Sequence, residues 1–188
     1  MLEKVENMKK TNRLVEILSN RKAKYIVGTI LLSGIGIALP RIFHVLAGAS
    51  SGQTLLPMHI AVLIAALIFG ITSSSIVAGS SIVFSYLLTG MPTIERLPYM
   101  LIELIIYAVL LSLFNKKFNS YVSLIATIIL GRILYAGVLF VAINGLGLPT
   151  YGISVIQSIQ TGLPGIAIQL ICVPFIAKAI KKGIHLDD

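Results

Sequence analysis

The sequence predicts an all-α integral membrane protein: a bundle of six transmembrane helices with both termini cytoplasmic. Three observations carry that reading. Of 188 residues, 56% are apolar and 12% charged, and the mean hydropathy of +0.95 lies outside the range of soluble domains. Between Ile42 and Ile94 there is no Asp, Glu, Lys or Arg, a run too long for one crossing of ~30 Å of hydrocarbon and sufficient for two. The basic residues, finally, gather at the ends of the apolar runs.

That placement decides what the net charge of +8 means. Seven of the fifteen Lys and Arg lie in residues 1–24, with Lys116, Lys117, Lys178, Lys181 and Lys182 at two later borders. Such clusters write topology by the positive-inside rule and favour anionic lipid. They do not make the continuous basic face that nucleic acid requires, so no nucleic-acid partner is expected. The lone Cys172 excludes an internal disulfide and a cysteine metal site.

Residues 1–24 form a basic cytoplasmic segment in which Leu14, Ile17 and Leu18 fit either a surface-lying amphipathic helix or a frayed tail. The first apolar run is too long for a signal-peptide core. A membrane domain over residues 25–182 then holds six spans, at about Tyr25 to Phe43, Pro57 to Thr72, Ser74 to Leu88, Leu97 to Phe114, Tyr121 to Ile143 and Ile156 to Ile180. Residues 183–188 are a cytoplasmic tail. The turn between spans two and three is expected at Gly70-Ile71-Thr72-Ser73. An even number of spans puts both termini on one side, and the basic count makes that side cytoplasmic. Tyr25 and Tyr121 suit the inner interface, Tyr99 and Tyr151 the outer one, while Tyr86, Tyr107 and Tyr135 lie deeper.

The candidate chemistry sits on the fourth and fifth spans. Arg96, Tyr99, Glu103 and Tyr107 fall on one helical stripe. Glu103 lies roughly 9 Å below the outer end, where a lone carboxylate would cost several kcal/mol. Arg132 lies about 16 Å deep on the next span, with Tyr135 one turn farther out. Glu103 is the only acidic residue within a span, so a Glu103–Arg132 pair is one reading. An anionic solute meeting Arg132 or Arg96 is the other. His44 and His59 flank the first outer loop. Gln157, Gln160 and Thr161 share a face at the start of the last span, with Gln169 opposite as a packing contact. Gly34 and Ala38 make a small-xxx-small pair, either an internal seam or a docking face for another membrane protein.

Several chemistries find no residues here. The chain has no GxxxxGK[ST], no HExxH and no EF-hand loop, and it shows no convincing internal repeat or proton-relay carboxylates. Neither a catalytic group nor a metal or cofactor site is expected.

LPMHIAVLIAALIFG at Leu56 to Gly70, the TGMP that follows, ELIIYAVLLSLF from Glu103 and GRILYAG from Gly131 stand in an order and spacing that resemble the substrate-binding S components of energy-coupling factor (ECF) vitamin transporters. The match covers about Ala38 to Gly137. Pantothenate-type members are the nearest, and an arginine within the membrane suits a carboxylate ligand. The resemblance implies a six-helix bundle in a bacterial cell membrane that captures a vitamin or related solute at the extracellular face. Its partners would be a membrane coupling subunit and two ATPases that hydrolyse ATP, the chain itself being no enzyme. On this reading Arg132, Glu103, Tyr107, Tyr135, His59, Arg96 and Gln157 border the pocket. Gly34 and Ala38 then occupy the region of the family's docking motif, although Gly34 replaces the commoner alanine. An autonomous small-solute permease and a non-transporting membrane scaffold are the alternatives.

Overall fold

The computed structural model describes residues 20–48, 56–145, 147 and 155–184. They form five helices and, among the described residues, no strand. These are α1 (Arg21–Ala47), α2 (Pro57–Thr89), α3 (Leu97–Phe114), α4 (Ser120–Asn144) and α5 (Val155–Gly183). All five contain a stretch long and apolar enough to cross a membrane, as a multi-pass membrane protein requires.

The helix ends follow from local chemistry. Asn20 caps α1 by accepting from the Lys22 N–H, and Asn119 caps α4 by accepting from the Val122 N–H, each satisfying one orphan donor of a first turn. Proline stands in the first turn of α2 and of α3, where its missing N–H costs nothing. Gly90 ends α2 with φ +69 and returns its N–H to the Tyr86 carbonyl, a left-handed stop that glycine takes without strain.

The expected boundaries shift in two places. Helix α1 begins at Arg21, so four residues assigned to the basic tail already belong to it; residues 1–19 and 185–188 lie outside the described residues. The second and third spans emerge as one element, α2, rather than as two helices with a four-residue turn. Within it only Gly70 leaves helical geometry, at φ 79, ψ −167. That backbone region belongs to glycine.

The break at Gly70 reverses the chain. A Cβ placed on Gly36 of α1 would meet both Ser81 Oγ and, at 3.4 Å, Ala61 Cβ. In a straight helix those two residues would stand about 30 Å apart. The two arms of α2 therefore lie side by side against α1. Phe69 packs edge-on to Tyr25 at 5.2 Å between ring centroids and fills the space over Gly28. Ser33 and Ser80 share a hydrogen bond of 2.8 Å. Buried Gly36 and half-buried Gly28, with Thr29 and Leu32 on the same face, thus make the close seam of α1.

Other contacts gather one set of chain segments at a common end. Asn115 Nδ2 donates to the Leu67 carbonyl and Ser120 Oγ to Asn115 Oδ1. Buried Ser74 and Ser112 approach to 3.5 Å, and Lys24 Nζ donates to the Ile184 carbonyl at 2.6 Å. The start of α1, the Gly70 bend, the α3–α4 turn and the end of α5 share that end. The core between the ends is built mainly on the first arm of α2, whose residues Ala61 to Phe69 are all buried, with Leu104, Leu111, Leu124 and Val173 fully buried around it.

Candidate functional site

Three helices bring together the residues that sequence alone placed on separate spans. His59 comes from the first turn of α2, Glu103 and Tyr107 from one face of α3, and Arg132 and Tyr135 from one face of α4. All five are buried, Glu103 and Arg132 each at 7% exposure. Arg132 Nη1 donates to Glu103 Oε1 at 2.7 Å, a charge-assisted bond at the short end of its range. The pairing reading of these two residues is the one the structure contains.

His59 supplies the third corner. Its Nε2 is 3.8 Å from the same Glu103 oxygen, too long for a hydrogen bond, and no other described residue completes one with it. The His59 ring stands edge-on to the Tyr107 ring, 5.4 Å between centroids. A buried nitrogen without a partner costs free energy in a medium that holds no water. Here it faces a carboxylate oxygen just beyond hydrogen-bonding distance.

The local sequence explains the assembly. In ELIIY, Glu103 and Tyr107 are four residues apart and share a helix face. In GRILY, Gly131 precedes Arg132 for a packing reason: a Cβ at Gly131 would sit 2.8 Å from the Tyr107 ring. The glycine lets the phenol lie against the α4 backbone while Arg132, the next residue, reaches Glu103. Tyr135, one turn on, packs with Tyr99, Leu139 and Ala142 in a separate small cluster. Tyr99 is thus an inward-packed residue near the start of α3.

The rim beside the site comes from residues that the sequence reading left aside. Leu56, just before α2, has φ 48 and ψ 48, a left-handed conformation rare for a leucine. Its carbonyl accepts from His59 N at 3.1 Å and from Gln169 Nε2 of α5 at 3.5 Å. A Cβ at buried Gly162 would lie 3.0 Å from Leu56 Cδ1 and 3.8 Å from Arg132 Nη2. Gly162 therefore brings α5 close to both the strained leucine and the guanidinium. Gln169, expected only to pack, is buried and ties α5 to the start of α2.

The remaining candidates fall elsewhere. Arg96 is half-buried at the start of α3, about 10 Å along the helix from Glu103. His44 is half-buried in the last turn of α1. Gln160 and Thr161 are exposed near the start of α5. That helix turns Gly162, Gly165, Gln169, Val173 and Ala177 inward instead. The side chain of Gln157 and the residue Tyr151 lie outside the described residues.

Gly34 and Ala38 are both exposed, and a Cβ on Gly34 would meet nothing within 4 Å. The internal-seam reading of this pair is therefore corrected: Gly28 and Gly36 make the seam, and Gly34 and Ala38 face outward. Among the described residues no group of three or more His, Cys, Asp or Glu converges as metal ligands would. Compared with profiles of known families, with curated proteins and with solved structures, the chain matches none.

Proposed function

We propose that the chain is the solute-binding S component of an ATP-driven ECF-type transporter, taking up a small anionic vitamin-like solute, with pantothenate the nearest candidate. The observation that carries this reading is the convergence of His59, Glu103, Tyr107 and Arg132 from three helices, with His59 Nε2 poised 3.8 Å from Glu103 Oε1. A charge pair buried within membrane-spanning helices is a costly construction, and such groups mark solute or ion sites. A solute carboxylate would compete with Glu103 for Arg132, since a guanidinium presents several donors in one plane.

The topology proposed is six crossings. The reversal at Gly70 makes two of the arms of α2, and the other four helices supply one each. Lys24 and Ile184 then share a side with Lys116, Lys117, Lys178, Lys181 and Lys182, and the positive-inside rule makes it cytoplasmic. The His59–Glu103–Arg132 site faces the other half of the bilayer. The outward-facing Gly34 and Ala38 form the surface offered to a membrane coupling subunit, with ATP hydrolysis on two separate ATPases.

The test is reconstitution. Purified chain should bind pantothenate or release a copurifying small acid identified by mass spectrometry, and Arg132→Ala should abolish binding. Liposomes holding the chain alone should show no uptake until an ECF module and ATP are supplied. Uptake by the chain alone would assign it to autonomous permeases and sink this reading.

A further inference from the structure

A cavity of about 710 Å³ opens at the opposite end of the molecule from the His59–Glu103–Arg132 cluster. It lies between the start of α4 and the last turns of α5. Its floor is apolar, from Leu67, Pro174 and Ala177, and its rim carries Lys178, Lys181 and Lys182. Small side chains at Ser120, Ala177 and Ala179 leave the space that larger ones would fill. Two exposed aromatic residues, Tyr121 and Phe175, flank its opening at 54% and 73% exposure.

The charge around it is one-sided. Among the described residues the only carboxylates are Glu95 and Glu103; Glu95 lies just before α3, at the far end, and Glu103 is paired with Arg132. Lys116 and Lys117 stand in the neighbouring α3–α4 turn, and the start of α4 adds the positive end of a helix dipole. A rim of ammonium groups above an apolar floor, open sideways beside exposed aromatic rings, matches an amphiphile with an anionic head. A soluble anion would gain nothing from the floor.

We propose that this groove is a binding site for one anionic glycerophospholipid, its phosphate held by Lys178, Lys181 and Lys182, its acyl chains running over Phe175 and Tyr121. Basic pockets between membrane helices on the cytoplasmic side bind headgroups in this way. The site ties the start of α4 to the end of α5, where Lys24 already anchors the last turn through the Ile184 carbonyl. The inference rests on the membrane-spanning reading and is independent of the transported solute.

The experiment is native mass spectrometry of the full chain in detergent, titrated with phosphatidylglycerol and with phosphatidylcholine of the same acyl composition. The wild-type chain should retain phosphatidylglycerol at least roughly tenfold better, from three lysines each contributing to headgroup attraction. The triple variant Lys178→Gln/Lys181→Gln/Lys182→Gln should lose that preference, while Lys116→Gln/Lys117→Gln keeps it. Equal loss in both variants would mean a diffuse basic field, and an undiminished preference in the triple variant would place the lipid elsewhere; either overturns the proposal. Phosphatidylglycerol binding that appears only with Asp187→Asn/Asp188→Asn would assign the groove to the chain's own C-terminal carboxylates and overturn it as well. Thermal unfolding midpoints of the variants, which change only partly or fully exposed lysines, check that they fold.

Discussion

Arg132 Nη1 and Glu103 Oε1, on neighbouring helices and both inside the bundle, are 2.7 Å apart. One of each charge within the apolar core cancels to neutrality, which makes the carboxylate affordable there and fixes the rotation of α3 against α4. Removing either partner leaves the other buried alone, at a cost of about 3–5 kcal/mol. Arg132→Ala and Glu103→Ala should therefore lower the thermal midpoint in detergent strongly. The double variant Glu103→Leu/Arg132→Met should recover most of that stability and yet bind no solute in a titration. Solute binding by the double variant would reduce the pair to a scaffold.

Gly131 controls how closely α3 and α4 approach. Gly131→Ala puts a methyl group 2.8 Å from the Tyr107 ring and should destabilise by about 1–3 kcal/mol, the usual range for overpacking. Adding Tyr107→Leu should restore the unfolding midpoint and leave solute binding impaired. No rescue of stability would mean that the ring does not set the spacing.

The two small-residue rows of α1 should separate cleanly in their effects. Gly36→Leu drives a side chain into Ser81 and Ala61 and should give poorly folded, aggregating protein on size-exclusion chromatography. Gly34→Leu and Ala38→Leu point away from the bundle, so the unfolding midpoint and solute binding should stay as in the wild type. Assembly with a coupling subunit, measured by copurification, should fail in both. Assembly that survives both would move the interface elsewhere on the surface.

Lys24 of α1 reaches the Ile184 carbonyl, just past the end of α5. Lys24→Met keeps the aliphatic stem and removes the donor, losing about 1.5–3 kcal/mol of charge-assisted bonding if the carbonyl finds no other partner. Hydrogen exchange should speed up in the last turn of α5 and remain unchanged at the start of α3. Uniform protection in both variant and wild type would show that the contact adds nothing.

Much of this arrangement is legible in the sequence because each part rests on length or on charge. Span positions follow from the thickness of the hydrocarbon. The Glu103–Arg132 pair follows from one acid and one deep base needing each other. What periodicity cannot supply is the orientation of one helix against the next. Periodicity puts Gln157, Gln160 and Thr161 on one face and leaves open whether that face meets protein or lipid. Helix α5 turns a row containing Gly162, Gly165 and Ala177 inward, and closeness of approach decided the rotation. Gly131 and Leu56 were missed for a related reason: their roles lie in what another element places beside them. Gly34 and Ala38 were legible as a pair, but only the packing of Gly28 and Gly36 tells which side of α1 they occupy.

The consequence of Gly70 reaches beyond its own bend. Its φ of 79 with ψ −167 is closed to any residue carrying a Cβ, so one backbone dihedral pair decides whether residues 57–89 fold back as a hairpin or run as a single rod. On the proposed six-crossing topology, a Gly70→Ala variant forced into the rod would move every later loop to the other side of the membrane and carry the lysines of the α3–α4 turn with it. In a Cys172→Ala background, a cysteine introduced at Lys117 would report the outcome through its access to a membrane-impermeant thiol reagent. On that topology the sidedness of the second half of the molecule rests on the absence of one methyl group as well as on its charges.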